Sequence, residues 1–331
     1  MTGPAEGLRV VELGAWIAAP AAGAILADWG ADVIKIEGAN GDPLRFFLAA
    51  VGLEPNSNPL FQLDNRGKRS VGLDLKTQRG QELANELIEG ADVFVTNFRM
   101  PVLEQFGLDN ETVARRNPRL VYSLVTGYGM KGAYRDRASF ELGAFWSRSG
   151  IAASLTRYGQ DPPYQRPGMG DHTTGLATLA GIMGALFDRE RTGRGQLVST
   201  SLLRTGLYFV GSDLNYALNS GGGAIPKVRG RNAAANPLVG YYQDKEGRFF
   251  CLLGVQGDRH WPDIARAIDR PELIGDERFS SFRARAENVK EASELLSTAF
   301  AAKTLAEWDP IFDREDVWWA PVREIEELLT D

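Results

Sequence analysis

The chain has 331 residues, 44% of them hydrophobic, which is enough for one large or two medium domains, and we expect two. A formal net charge of −6 argues against a surface built to bind nucleic acid or an anionic membrane. One cysteine excludes an intrachain disulfide and two histidines make a Cys/His metal site implausible, so we expect no metal and a reducing, cytoplasmic setting. The first residues carry no signal-peptide pattern and no apolar run reaches about 18 residues, which predicts a protein that is neither exported nor membrane-spanning.

The first predicted elements form a βαβ unit. A strand at 8–13, a helix over 21–29 and a strand at 31–37 open a doubly wound α/β sheet. Glu37 stands about where an acid binds the ribose in a dinucleotide fold. The turn at 14–20 lacks the spaced glycines that let a pyrophosphate approach, so a dinucleotide cofactor is not expected.

Residues 38–65 contain three prolines and are predicted to be loop. The βα pattern then repeats, with predicted elements at 66–76, 77–87, 91–96, 109–117 and 120–126. Arg99 lies in a predicted loop at 97–101, after the carboxyl end of a strand, where open α/β sheets place ligands. A single exposed arginine is also commonly a solvated charge, so both interpretations remain open.

Asp171 is the strongest candidate for a chemical role. It follows Gly168 and Gly170 and precedes apolar residues at helical spacing, so it lies at a predicted helix N-terminus. Free N–H groups there favour an anion and can stabilise an oxyanion, although aspartate is also a favoured N-cap residue. Glu141 lies in an apolar segment at 140–146, predicted to be helical, where an acid either pairs with a base or has a raised pKa.

A strand at 196–201 and a helix over 202–218 complete the predicted large domain, residues 1–220. Three glycines and a proline at 221–226 predict a linker. Residues 221–331 are predicted to contain this linker and a small α+β domain, with strands and helices at 238–243, 248–253, 261–268, 284–301 and 305–312.

Several motifs occur together and in order. They read Gly7-Leu-Arg-Val-Val-Glu-Leu, Ala27-Asp-Trp-Gly-Ala-Asp-Val-Ile-Lys-Ile-Glu, Asn97-Phe-Arg, Gly170-Asp and Arg191-Thr-Gly-Arg-Gly-Gln. This set resembles the class III CoA-transferases, the superfamily of formyl-CoA transferase, carnitine CoA-transferase and 2-methylacyl-CoA racemase. The resemblance implies a Rossmann-like large domain, a small domain and a homodimer of two interlocked chains. Members usually continue for several tens of residues in a return segment that this sequence does not include.

The resemblance also implies a reaction. Asp171 would be the nucleophile that moves CoA from an acyl-CoA to a carboxylic acid, through mixed anhydrides and an aspartyl-CoA thioester. Coenzyme A would be part of the substrate, with no permanently bound cofactor. Leu73 and Lys76 would line the CoA nucleotide pocket. Arg99 would contact a CoA phosphate, Arg137 would stand where some members place a CoA-binding lysine, and Glu141 would match an acid near the active site.

Three positions depart from formyl-CoA transferase: Ile17 replaces a glutamine, and Gly38 and Gln105 replace arginines. The formyl/oxalate substrate pair is therefore not expected. The racemases use an additional histidine that would lie within 137–142, and this sequence has none there. His172 is interpreted as a residue of the helix start rather than a base.

Two alternative functions remain open. One is an acyl-CoA racemase or isomerase using Asp171 and Glu141, and the other is a non-catalytic CoA-binding protein. The acyl group is not identified by the sequence. A group of aromatic residues suggests either an apolar acyl pocket or core packing: Trp16, Phe46, Phe47, Phe145 and Trp146.

Overall fold

The chain forms two compact units. The computed structural model describes residues 3–53, 57–223 and 236–330. The large unit comprises Met1–Leu155 with Pro162–Ile225, and the small unit comprises Thr156–Asp161 with Pro226–Asp331. The linker predicted at 221–226 lies partly outside the described residues, which leave out 224–235.

A six-stranded parallel sheet organises the large unit. Its strands are β1 (Arg9–Leu13), β2 (Asp32–Glu37), β3 (Arg69–Gly72), β4 (Val93–Thr96), β5 (Val121–Thr126) and β6 (Leu197–Ser201). They lie in the order β3-β2-β1-β4-β5-β6, with every neighbouring pair parallel. The prediction of an α/β fold is confirmed. This order reverses between β1 and β4, and a crevice forms at the carboxyl ends of strands around such a point.

Helices cover both faces of this sheet. The described helices of the large unit are α1 (Ala18–Asp28), α2 (Leu44–Ala50), α3 (Pro59–Asn65), α4 (Gln78–Glu89), α5 (Met100–Gln105), α6 (Asn110–Arg116), α7 (Ile151–Leu155), α8 (Met169–Thr192), α9 (Leu202–Phe209) and α10 (Gly211–Asn219). Alternate strand residues face opposite sides, so Val10 packs with α1 and α8 while Val11 packs with α4, α5 and α6.

Two small residues bring α1 and α8 close together. A Cβ on Gly175 would lie 2.9 Å from the Cβ of Ala21, so a larger side chain would push the helices apart. The start of α8, which carries Asp171, is thereby held beside the loop between β1 and α1. This packing connects the sequence of α8 to the position of its first turn.

The prediction of loop over 38–65 is wrong, because α2 and α3 lie there. Prolines start helices in this segment rather than prevent them. Pro59 occupies the first turn of α3, where its missing N–H costs nothing, and the Asn58 side chain accepts a hydrogen bond from the N–H of Phe61. Pro101 likewise lies in the first turn of α5, so the loop predicted at 97–101 ends at Arg99.

Two predicted helices are each divided. The helix predicted over 202–218 is α9 and α10, separated at Val210. The helix predicted over 284–301 is α12 (Phe282–Glu287) and α13 (Val289–Phe300), separated at Asn288. The segment predicted to be helical at 140–146 forms a single π-helical turn at Leu142–Ser147.

The small unit has an antiparallel sheet of β7 (Val239–Gln243), β8 (Phe249–Leu253) and β9 (Trp319–Pro321). The strand β9 was not predicted. This sheet and the helices α11 (Gly257–Ala267), α12, α13 and α14 (Leu305–Arg314) enclose an aromatic core. Within the described residues, no helix is long and apolar enough to cross a membrane, and no group of His, Cys, Asp and Glu side chains could hold a metal ion.

Candidate functional site

Asp171 lies in the first turn of α8, as predicted. The preceding Gly168 has φ +87°, in the left-handed region, and a Cβ there would meet the ring of His172 at 2.8 Å. The N-cap position belongs to Gly168, which has no side chain to cap this helix end. The interpretation of Asp171 as an N-cap residue is therefore wrong, and its carboxylate does not cap its own helix.

The Glu141 side chain accepts the free N–H groups at the start of α8. Its Oε1 accepts the N–H of Gly168 at 2.6 Å, and its Oε2 accepts the N–H groups of Gly170 at 2.8 Å and Asp171 at 3.1 Å. The partners of Glu141 in the hydrogen bonds of this helix start are thus not a basic side chain but backbone donors of a segment about thirty residues later in the chain. Since these N–H groups are engaged, an oxyanion beside Asp171 would reach them only if Glu141 moved.

Asp171 is half-buried among other acids. Burial raises the pKa of its carboxyl group to about 7, and the negative charges of Glu141 and Asp64 act in the same direction. The charge of the neighbouring His172 opposes them. A group with this pKa is ionised in a large fraction of molecules at neutral pH and is a stronger base than an ordinary aspartate.

His172 pairs with a residue that sequence analysis did not single out. Its Nε2 lies 3.0 Å from Oδ1 of the buried Asp64, near the end of α3. This hydrogen bond raises the pKa of the imidazole, and the charges of Asp64, Asp171 and Glu141 add to the effect. We define the Asp171 cluster as Asp64, Glu141, Asp171 and His172.

A cavity of about 260 Å³ opens beside Asp171. It lies at the carboxyl ends of β1, β4 and β5, where the strand order reverses. Its lining brings Asp171 together with Arg99 and with the apolar residues Trp16, Ile17 and Phe140. The exposed guanidinium of Arg99 is the cationic group among the described lining residues.

The other predicted CoA-binding residues lie outside this lining. Leu73 and Lys76 follow the carboxyl end of the edge strand β3, with Leu73 buried and Lys76 exposed. Arg137 is exposed, with its guanidinium 5.2 Å from the ring centre of Tyr134. The structure therefore groups Asp171, Glu141 and Arg99, whereas the other three lie in the large unit outside this lining.

The aromatic residues divide between the cavity and the core. Trp16 lines the cavity, whereas Phe145 and Trp146 are buried in a core with Ile151 and Leu202. The possibility that Phe145 and Trp146 form an acyl pocket is wrong for this reason. Phe46 is exposed and lies outside the described lining.

The large unit also contains a second group of charged side chains. We define the buried cluster as Glu12, Lys35, Asp42 and Lys68. The Lys35 Nζ lies 2.8 Å from Glu12 and 3.0 Å from Asp42, and the Lys68 Nζ lies 2.7 Å from the other oxygen of Glu12. Every side chain in the cluster is almost fully buried. No motif in the sequence predicted this arrangement.

Glu37 is fully engaged at the end of β2. Its carboxylate accepts hydrogen bonds from Arg45, Ser70 and the N–H of Asp42. Burial opposes its ionised form, but these hydrogen bonds outweigh burial and lower its pKa to about 2. The carboxylate that a dinucleotide fold would offer to a ribose is therefore occupied within the protein.

The model of "CoA-transferase family III" matches residues 5–331. This chain belongs to that family. Accordingly, it is a CoA-transferase. It is 36% identical over 329 residues to a cinnamoyl-CoA:phenyllactate CoA-transferase of Clostridium sporogenes, an alignment that covers 98% of this chain and 80% of the relative.

Two further similarities agree with this membership. The CoA-transferase is 33% identical to an (R)-2-hydroxy-4-methylpentanoate CoA-transferase of Clostridioides difficile, across 98% of this chain and 81% of that one. The crystal structure of a CAIB/BAIF family protein from Brucella suis matches it with a TM-score of 0.86 at 29% identity, across 100% of this chain and 87% of that chain. The family resemblance expected from the sequence motifs is confirmed.

Proposed function

We propose that this CoA-transferase moves CoA from an acyl-CoA donor to a carboxylic acid acceptor through covalent intermediates on Asp171. The observation that carries the proposal is a half-buried aspartate at the wall of a cavity, free of a cap role and with a pKa raised to about 7. Named relatives act on phenyllactate and on 2-hydroxy-4-methylpentanoate. These names support the reaction class and leave the acid of this chain to be determined.

The reaction needs two exchanges at one carboxylate. An oxygen of Asp171 attacks the acyl carbonyl of the donor, forming a mixed anhydride and releasing the CoA thiolate. The thiolate attacks the Asp171 carbonyl, forming an aspartyl-CoA thioester and releasing the donor acid with one oxygen from Asp171. The acceptor carboxylate then attacks the thioester, and the thiolate attacks the acceptor carbonyl of the resulting anhydride, which releases the new acyl-CoA and restores Asp171.

A carboxylate suits this chemistry because both its anhydride and its thioester retain the energy of the starting thioester. Hydrolysis would lose that energy, so water must be kept out while the intermediates exist. A pKa near 7 makes Asp171 a better nucleophile than an ordinary aspartate while leaving it substantially ionised. Glu141 holds the turn before Asp171 through three backbone N–H groups.

Arg99, Lys76, Leu73 and Arg137 are proposed to bind CoA. A guanidinium or an ammonium group matches the charge of the CoA phosphates, and Arg99 lies at the cavity that contains Asp171. Two chains are proposed to interlock as a homodimer. No permanently bound cofactor is needed in the mechanism proposed here.

The test uses ¹⁸O to trace the carboxylate oxygen atoms of the acceptor acid. The acceptor acid is labelled with ¹⁸O in its carboxylate, and the enzyme turns over with unlabelled acyl-CoA. Covalent transfer places label in the Asp171 carboxylate and, in later turnovers, in the released donor acid. Asp171→Asn should abolish both labelling and transfer, whereas Asp213→Asn, an aspartate in the first turn of α10, should leave both intact. Transfer without label in Asp171 would contradict the mechanism.

The same preparation separates the alternatives. A racemase would place solvent deuterium on the α-carbon of an acyl-CoA in the absence of acceptor acid. A non-catalytic CoA-binding protein would bind CoA, with no transfer across a broad panel of acids. The proposal predicts neither result.

A further inference from the structure

Trp16 has an unusual backbone conformation. Its φ is 65°, in the left-handed region that a bulky side chain rarely adopts. Such a conformation persists only where the surroundings hold it, and it is common at ligand-binding sites. Trp16 lies in the loop between β1 and α1, on the wall of the cavity that contains Asp171.

The buried cluster holds Trp16 in place. The N–H of Trp16 donates to Oδ1 of Asp42 at 3.1 Å, and the N–H of Leu44 donates to the same oxygen at 2.9 Å. The other oxygen of Asp42 lies 3.0 Å from the Lys35 Nζ. Because Asp42 is buried and charge-paired, its position is fixed, and it fixes the backbone of Trp16 in turn.

Aromatic contacts then fix the indole ring. Its centre lies 5.8 Å from the ring of Phe47 and 5.6 Å from the ring of Phe140, with both contacts edge-to-face. Trp16 and Phe140 line the cavity, while Phe47 lies outside the described lining. Phe140 is 65% exposed, so a ligand in the cavity would cover apolar ring surface that now faces water.

The polar side chains of the lining are largely engaged with the backbone. Asn97 exchanges two hydrogen bonds with the backbone of Ala15, at 3.1 and 2.8 Å. The hydroxyls of Thr126 and Ser139 donate to the carbonyl oxygens of Thr200 and Phe140. A substrate side chain with its own charge would therefore lose hydration beside Trp16 and Phe140. Arg99 is the cation among the described lining residues, and it is proposed above to bind CoA.

We propose that Trp16 and Phe140 form the wall that selects the acyl group, and that this wall favours monocarboxylic acids with a ring or branched apolar side chain over short acids and dicarboxylates. This inference rests on the proposed function of Asp171, since that residue defines the reacting end of the cavity. Trp16 and Phe140 are specificity-determining residues because they contact the substrate side chain. Asp42 is a positioning residue that acts through Trp16.

The experiment compares acceptor acids with one acyl-CoA donor. We measure kcat/KM for 3-phenylpropanoate, 4-methylpentanoate, acetate and succinate. The wild-type enzyme should favour the first two acids over the last two by about tenfold or more, because apolar contacts of a few methylenes discriminate on that scale. Trp16→Ala and Phe140→Ala should each lower the ratio for 3-phenylpropanoate over acetate by about tenfold.

Three further variants make the comparison specific. Trp16→Phe keeps a ring and should retain most of the preference. Asp42→Asn removes the charge that pairs with Lys35 and should lower the ratio for 3-phenylpropanoate over acetate. Phe187→Ala removes an aromatic ring of α8 that is 70% exposed and lies outside the described lining, and it should leave the ratio unchanged.

The outcomes separate the inference from the function on which it rests. A wild-type preference for succinate, or unchanged ratios in both Trp16→Ala and Phe140→Ala, would overturn the inference while transfer through Asp171 remained. No transfer to any acid would overturn both. A ratio that falls in the two alanine variants and stays constant in Phe187→Ala supports it.

Discussion

The large unit holds two groups of charged side chains that differ in how their charges are balanced. In the buried cluster, burial opposes the ionised form of Glu12, but the charges of Lys68 and Lys35 outweigh it and the pKa of Glu12 is lowered. In the Asp171 cluster, burial also opposes ionisation and the charges of Glu141 and Asp64 add to it, so the pKa of Asp171 rises to about 7 although His172 acts against them. Burial therefore acts in the same direction on the acids of both clusters. The two paired lysines outweigh burial at Glu12, whereas the single imidazole does not outweigh it at Asp171.

The two clusters are joined at one residue. The backbone oxygen of Asp64 accepts a hydrogen bond from the Lys68 Nζ at 2.6 Å, while its side chain lies 3.0 Å from His172. The buried cluster thus helps to hold the end of α3, which carries the Asp64 side chain of the Asp171 cluster. Variants that change the charge of either cluster test whether the two clusters differ in this way.

The largest effect is expected from Asp171→Asn. Removing the proposed nucleophile should lower kcat by roughly 10⁴-fold or more, by analogy with other covalent catalysts. The amide should also raise the free energy of unfolding above pH 7. The wild-type carboxyl group has its pKa raised from 3.8 to about 7 on folding, so the wild type loses stability as pH rises across that interval. Urea unfolding at pH 4 and pH 8 should show a stabilising difference at pH 8 only.

The next effect is expected from Lys35→Met, which leaves Asp42 without its ion-pair partner. Breaking a buried pair in this way should lower the free energy of unfolding by about 3–5 kcal/mol. Arg283→Met is the control because its ion pair with Glu287 is exposed. Equal unfolding midpoints for the two variants in urea would contradict the structural role of the buried cluster.

A smaller effect is expected from Glu141→Gln. The neutral amide has one acceptor oxygen for three N–H groups, so the variant should lose about 1–3 kcal/mol of stability. Removing the negative charge also lowers the pKa of Asp171, since Glu141 raises it. The acid limb of the profile of log kcat/KM against pH should move to lower pH, and a shift to higher pH would contradict the assignment.

The smallest effect is expected from His172→Gln, which can still donate a hydrogen bond to Asp64. Loss of the imidazolium charge removes an influence that lowers the pKa of Asp171. The acid limb should therefore move to higher pH, opposite to Glu141→Gln, with little change in the plateau rate. The pH profiles of Glu141→Gln and His172→Gln, measured side by side, check the direction in which each acid limb moves. Shifts of both limbs in the same direction would show that the cluster is not electrostatically coupled.

Local signals predicted the parts of the site that depend on local sequence. Gly168, Gly170 and the apolar spacing that follows predicted the position of Asp171 at a helix start, and the strands of the parallel sheet were predicted from the repeating βα pattern. The prolines near residues 43–59 were interpreted as loop formers, although Pro59 starts α3. Roles for Leu73, Lys76, Arg99 and Arg137 remain predictions.

The rest depends on contacts between distant residues. Asp64 and His172 are 108 positions apart, and Glu141 meets the start of α8 across about thirty. Contacts between residues this far apart produce no motif or periodicity that a single sequence would show. The left-handed conformation of Trp16 was equally hidden, because it depends on Asp42 and on the burial of Lys35.

The central claim is that Asp171 carries CoA and acyl groups covalently, and trapping the intermediate tests it most directly. The enzyme is mixed with an acyl-CoA, quenched with hydroxylamine and digested, and the peptides are analysed by mass spectrometry. We predict a hydroxamate at Asp171 that forms only when acyl-CoA is present and is absent in Asp171→Asn. Full transferase activity with an unmodified Asp171, or the modification at a different residue, would contradict the account.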